Sequence, residues 1–287
     1  MRAQKGSQKW IQYFVNDEQG ILNRKISESL RIKNPYIKWI SPIREDSYAE
    51  YKDEVFLEKL GLSNLIDHLE LFWPKNGPNW DALAINEESQ YFLVEAKANT
   101  KELTSSCRAT DNQSVKLISK SISLTKKHLE VEEDYNWLKG SYQYVNRLAH
   151  LFFLRELHNV DAYLIMVYFI NDYTHIKTSM KEWTVALSIQ KSLLGLSANH
   201  PLECYIGEVF IDIKSYKGIS QSCGWNIENA LDCIQINGFH LFECGGCGQP
   251  LILPEVGNFP TAAETQKLNN FYNSGGCPKC SCALRRI

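Results

Sequence analysis

Residues 78–101 read PNWDALAINEESQYFLVEAKANTK, and this stretch decides the fold. Two apolar runs, Trp80 to Ile85 and Tyr91 to Ala96, flank the polar linker NEESQ. Both are short and rich in residues that suit a sheet, so the pattern predicts a β-hairpin. Side chains alternate across a strand, which puts Glu95 and Lys97 on one face of the second strand while Ala96 points the other way. Asp81, at the start of the first strand, is placed to sit opposite them. Three ionisable groups then converge at one end of a hairpin otherwise built from apolar residues, where unpaired charge is costly. A carboxylate pair leaving an apolar sheet edge suits a hard cation that takes oxygen ligands and keeps several waters. This points to Mg²⁺ at Asp81 and Glu95, with Lys97 beside the metal-bound water.

Asp81 followed by Glu95-Ala96-Lys97 resembles the signature of the PD-(D/E)xK nuclease superfamily, and the resemblance spans Tyr48 to Ile213. One departure is Trp80 in place of the proline of the family pattern, although Pro78 lies nearby. The resemblance implies an α/β fold with a restriction-endonuclease-like core, a mixed central sheet flanked by helices. It also implies a Mg²⁺- or Mn²⁺-dependent nuclease acting on nucleic acid, most readily DNA, with a role in defence or DNA processing.

The segments outward from the hairpin are read against that expectation. Upstream, SYAEYKDEVFLEKLGL has Tyr51, Val55, Leu57 and Leu60 near helical spacing, with Gly61 as a stop. Its Glu50, Glu54 and Glu58 recur every four residues, either as a solvated stripe or as a source of one metal ligand. In the family a helix before the hairpin often adds a glutamate to the metal site, and Glu54 is the choice here. The run Leu69 to Trp73, closed by Pro74 and Asn76-Gly77-Pro78, reads as the first strand of the sheet. Residues 1–47 read as an arm, in which WIQYFVND suggests a short strand and GILNRKISESL a helix, with turns at Asn34-Pro35 and Ser41-Pro42.

Downstream, Val115, Ile118, Ile122 and Leu129 mark a helix whose Lys116, Lys120, Lys126 and Lys127 form either a phosphate-tracking face or a solvated one. The stretch Gly140 to His158 is a helix with a wide apolar face on which Gln143, Asn146, Arg147 and His150 recur at helical spacing. The family resemblance implies that Gln143 and Arg147 face the metal and the scissile phosphate; His150 reads as a core histidine. Ala162 to Ile170 is a continuous apolar run, the look of a strand covered on both faces. The segments MKEWTVALSIQKSLLGL and CYIGEVFIDI add a helix and a strand. Together they suit helices on both faces of a sheet, over residues 48–241.

Residues 242–287 change in character. Of nine cysteines, four fall in Cys244-x-x-Cys247 and Cys277-x-x-Cys280, the spacing that lets paired thiolates grip one ion. A four-thiolate structural Zn²⁺ site is expected, and the segment resembles a zinc ribbon with a long insert; Cys282 is left over. A piece this small gains much of its folding free energy from the metal.

The chain of 287 residues is 44% hydrophobic and 22% charged, enough to bury a full core. No apolar run approaches the length of a membrane span and MRAQKGSQKW lacks a signal-peptide core, so no membrane partner and a cytoplasmic location are expected. A formal net charge of −2 makes any nucleic-acid contact local, and leaves a homodimer or a protein partner open. The alternative from another class is a non-cleaving module that binds nucleic acid or protein through a nuclease-like fold and the zinc ribbon.

Overall fold

The structure is a computed structural model that describes residues 2–17, 20–32, 36–216, 239–244, 250–254 and 284–286. The chain divides into two compact units, Met1–Lys214 and Ser215–Ile287.

The first unit is an α/β fold around a five-stranded mixed sheet in the order β1-β2-β3-β4-β5. The strands are β1 (Ile37–Ser41), β2 (Ala82–Asn86), β3 (Tyr91–Lys97), β4 (Ala162–Ile170) and β5 (Ile206–Asp212). The β2–β3 hairpin is antiparallel, with Ala82 opposite Val94 and Ile85 opposite Tyr91. Its turn is held by Asn86, whose Oδ1 accepts from the N–H groups of Glu88 and Gln90 at 3.1 and 2.8 Å. β3, β4 and β5 run parallel, with Glu95 level with Met166 and Glu208.

Alternation along these strands sorts the two faces. Leu93, Leu164, Met166 and Tyr168 are buried in one core with α3 (Asp53–Lys59), α4 (Ile66–Phe72), α5 (Asn112–His128), α6 (Tyr142–Phe152) and α7 (Met180–Leu193). The opposite face meets α1 (Gly6–Val15) and α2 (Ile21–Leu30): Phe14 stacks on Phe169 at 5.9 Å, and the Gly207 backbone approaches Leu30. Glu95 and Lys97 therefore project toward α6. Among the described residues no helix is long and apolar enough to cross a membrane.

Three expectations are corrected. The run Leu69 to Trp73 is not a strand but the end of α4, because Leu65, Leu69 and Phe72 lie one and two turns apart and bury a helical face, leaving Leu71 exposed. The third strand on the β2 side is β1, from the segment read as an arm, and WIQYFVND is mostly α1, a helix burying Trp10, Ile11 and Phe14. The helix after Ser47 begins only at Asp53 and stops at Gly61, whose φ of +75° suits glycine. Tyr51 is extended and bridges to Trp80. The Ser41-Pro42 bond is cis, while Asn34-Pro35 lies outside the described residues.

The described residues of the second unit include a three-stranded antiparallel sheet, β7-β6-β8, formed by β6 (Phe239–Cys244), β7 (Pro250–Pro254) and β8 (Leu284–Arg286). Cys244 ends β6 opposite Leu284. Cys247, Cys277, Cys280 and Cys282 lie outside the described residues.

Candidate active site

Asp81 and Glu95 face each other across the open end of the hairpin. The Asp81 N–H donates to the Val94 carbonyl at 3.1 Å, and the Asp81 carboxylate accepts from the Ala96 N–H at 2.7 Å, one hydrogen bond fixing backbone and side chain together. Upstream, Trp80 is held by its N–H to the Tyr51 carbonyl at 3.0 Å. The turn before it is pinned by the Asp53 carboxylate, which accepts from the Asn76 and Gly77 N–H groups at 3.1 and 2.8 Å.

Glu95, only 2% exposed, sits in a closed ring of donors. Lys97 Nζ donates to Glu95 Oε1 at 2.5 Å and to Gln143 Oε1 at 3.0 Å. Arg147 Nε donates to Glu95 Oε2 at 2.8 Å, and Arg147 Nη2 lies 2.5 Å from the same oxygen. The rest of the guanidinium is also engaged, Nη1 with Asn146 Oδ1 at 2.7 Å and Nη2 with the Asn79 carbonyl at 2.8 Å. Its Cζ lies 5.0 Å from the centroid of the Trp80 ring, a cation–π contact. The residue that departs from the family pattern is thus the platform on which Arg147 rests.

Helix α6 delivers these groups because Gln143 and Arg147 are one turn apart on the side that meets β3. Its first turn is stitched to the loop after β3: Ser105 Oγ accepts from the Gln143 N–H at 2.8 Å, and the Ser105 N–H donates to the Gly140 carbonyl at 2.9 Å. The same loop is tied to α1 by Ser7 Oγ, which donates to Glu102 at 3.0 Å. His150, a turn beyond Arg147, is in the core as expected. It packs on Phe56, Trp73 and Trp80, with Nδ1 against the Asn146 carbonyl at 2.7 Å. Burial pushes it down to about 3, so it is a neutral packing group.

The two carboxylates are electrostatically unequal. Burial, then the Glu95 charge, pushes the Asp81 carboxyl up to about 8, against the lowering by Lys97 and the Ala96 N–H. Burial also raises Glu95, but the charges and hydrogen bonds of Arg147 and Lys97 outweigh it and hold its carboxyl below the usual range.

Of the three upstream glutamates, Glu50 is the one that senses this corner. Its carboxyl is raised first by burial and further by Glu95, while Gln8 Nε2 and Asn79 Nδ2 donate to it at 3.0 and 2.6 Å. Glu54 lines a separate shallow cavity with Ile66, Leu69, Trp73 and Lys75. The four-residue spacing misleads because Lys52, between Glu50 and Glu54, has extended backbone. Glu50 instead reaches the site through the Tyr51–Trp80 bridge, which no periodicity announces. Asn79 and Asn146, unassigned in the sequence, hold Arg147 and belong to the site.

The α5 lysines divide. Lys126 is buried and donates to the Glu133 carbonyl at 2.8 Å and to the Tyr135 carbonyl, a structural role that removes it from any phosphate-tracking face. Lys116, Lys120 and Lys127 are exposed.

Among the described residues no group of three or more His, Cys, Asp or Glu side chains is arranged to hold a metal ion. Two carboxylates are sufficient for a hard cation that keeps several waters, so the donor set fits Mg²⁺ or Mn²⁺. No protein-family profile matches the sequence, and no curated protein or solved structure gives a significant match.

Proposed function

We propose that this chain is a metal-dependent nuclease that hydrolyses phosphodiester bonds in nucleic acid, with DNA the expected substrate. The observation that carries the reading is the meeting of Asp81 with a Glu95–Lys97–Gln143–Arg147 ring at one end of a buried hairpin. Hydrogen bonds and ion pairs within the protein order these groups before any substrate arrives, which is the preorganisation that electrostatic catalysis requires. Asp81 and Glu95 are the residues that would hold Mg²⁺ or Mn²⁺. Such an ion supplies Lewis-acid polarisation of a phosphoryl oxygen and a more acidic bound water.

The chain's own groups have separate tasks. Lys97, steadied by Gln143, keeps an ammonium beside the carboxylates, to orient the attacking water or to balance charge accumulating on the phosphorus oxygens during in-line displacement. Arg147 fixes the rotamer of Glu95 and keeps it ionised. Burial and the Glu95 charge raise the Asp81 carboxyl, so a cation held there would favour its ionised form. In the second unit, Cys244, Cys247, Cys277 and Cys280 are proposed to hold a structural Zn²⁺ with no open position for chemistry.

One observation favours a second reading. Both Glu95 oxygens are already engaged by Lys97 and Arg147, so a pair that stays closed would leave a fold that binds without cutting. Incubating the protein with single- and double-stranded DNA and RNA, in Mg²⁺, in Mn²⁺ and in chelator, separates the two. Cleavage lost in chelator supports the nuclease; tight binding with no cleavage under any condition supports the binding module.

A further inference from the structure

Around α1 and the loop after β1 lies an open polar groove of about 400 Å³ lined by Arg2, Ala3, Gln8, Tyr48, Glu50 and Asn79. It adjoins the candidate active site through one of its walls, Asn79. The Asn79 carbonyl holds Arg147, and the Asn79 amide holds Glu50. The volume is near the lower end of the range for small-ligand sites, roughly 300–1,000 Å³, and is of the order of one nucleotide.

Tyr48 has an unusual backbone. It sits at φ +58° directly after Ser47 at φ +52°, so two consecutive non-glycine residues occupy the left-handed region, a costly arrangement for a bulky aromatic. The conformation is fixed by its N–H, which donates to the Ile43 carbonyl at 2.9 Å. Tyr48 is half-buried and lines the polar groove. The composition suits a nucleotide rather than an apolar ligand or a bare cation. An aromatic face takes any base by stacking, Arg2 adds positive charge to the wall, and the one carboxylate there is held by two amides.

We propose that this groove is a nucleotide subsite, in which Tyr48 stacks the base of the nucleotide adjoining the scissile phosphate and the charge of Arg2 adds positive potential to the wall. The proposal rests on the nuclease reading for the position of the scissile bond, and it names the substrate class. A base can reach Tyr48 only when it has left its stack, so the substrate is single-stranded at the point of cleavage, or opened there.

The test has an arm that does not depend on cleavage. Fluorescence anisotropy of a short labelled oligothymidylate in chelator should show binding weakened about tenfold in Tyr48→Ala and little changed in Tyr48→Phe. In Mg²⁺, a single-stranded oligonucleotide should be cut in preference to its duplex. An abasic site next to the mapped cut should raise KM by a similar factor in the wild type and add nothing in Tyr48→Ala. Retained affinity in Tyr48→Ala, or abasic and Tyr48→Ala losses that multiply, would overturn the subsite. Oligothymidylate binding that depends on Tyr48, in a protein that cuts nothing, would instead overturn the nuclease reading and keep the groove. Thermal melting of both Tyr48 variants separates these outcomes from misfolding.

Discussion

On the α6 side of the corner, Arg147 uses all three guanidinium nitrogens and Lys97 has two oxygen partners, so Glu95 is buried, ionised and immobile. On the opposite side the Asp81 carboxylate accepts from the Ala96 N–H, and Glu50 is held by the side-chain amides of Gln8 and Asn79. One wall has its charge matched within the protein; the other carries two carboxyls pushed upward by burial and by Glu95. On the proposed nuclease reading, the matched wall would give position and the other wall would give affinity for a cation. Stability alone would favour matching both.

Breaking the unmatched wall should have the largest effect. Asp81→Asn keeps the shape and the Ala96 contact but removes the charge, and should lower metal-dependent cleavage at least about hundredfold, a few kcal/mol of transition-state stabilisation. Glu95→Gln and Lys97→Ala should do the same. Removing a poorly compensated carboxylate should leave the metal-free melting temperature of Asp81→Asn unchanged or higher, whereas Glu95→Gln should lower it. Single-turnover rates with melting curves check both halves. A Asp81→Asn protein that melts early would mean the two walls are not different in kind.

Breaking the matched wall should cost folding as well as rate. Arg147→Ala leaves Glu95 buried with only Lys97 to balance it, and losing one member of a buried ion pair costs about 3–5 kcal/mol. Gln143→Ala removes one hydrogen bond to Lys97 and should cost about tenfold in rate with about 1 kcal/mol or less in stability. Urea denaturation of the two variants orders them. Equal, small stability losses would make Arg147 a surface group in effect.

How much of this was legible depends on the range of the signal. Period-2 alternation from Tyr91 to Lys97 set Glu95 and Lys97 on one face, and the 3.6-residue period of α6 put Gln143 and Arg147 on its β3 side; both are local geometry. What escaped is non-local. Pairing of β1 with β2 joins Ile37 to Asn86, and neither run is marked as the other's partner. Leu69 to Trp73 is too short an apolar run for its length to separate strand from helix, and burial against α5 decided it, with Ser121 Oγ donating to the Phe72 carbonyl. Trp80 looked like a flaw in the motif because its value lies in Arg147, which is distant in sequence. Glu50 looked helical because Asp53, at φ +51°, starts α3 later than the spacing implied.

The core behind the matched wall makes a smaller, pH-dependent prediction. His150 is pushed down to about 3 by burial, whereas an unfolded histidine titrates near 6.5. Between those values the unfolded chain binds the extra proton, so His150 contributes stability that is fully present above about 6.5 and lost as pH falls. At pH 5 the loss is about 2 kcal/mol. His150→Gln should flatten that part of the stability profile measured by urea titration from pH 7 to 5; an unchanged slope would mean His150 is protonated in the folded state.

The smallest expected effect sharpens the comparison most, because it asks which glutamate belongs to the unmatched wall. Glu50 and Glu54 are both half-buried, but the Glu50 carboxyl is raised partly by Glu95, while Glu54 faces the cavity between α3 and α4. Glu50 does not join Asp81 and Glu95 in a three-ligand group, so it acts on a cation at a distance, where two charges interact by on the order of 0.5–1 kcal/mol. Glu50→Gln should therefore weaken Mn²⁺ binding about two- to fivefold, measured in the absence of nucleic acid so that the neighbouring groove plays no part. Glu54→Gln should leave that affinity unchanged. The effect of Glu50 should shrink in high salt, as a screened interaction does, whereas the loss in Asp81→Asn should persist. A hundredfold loss in Glu54→Gln, with none in Glu50→Gln, would return the third carboxylate to α3 and overturn the assignment of Glu50 to this wall.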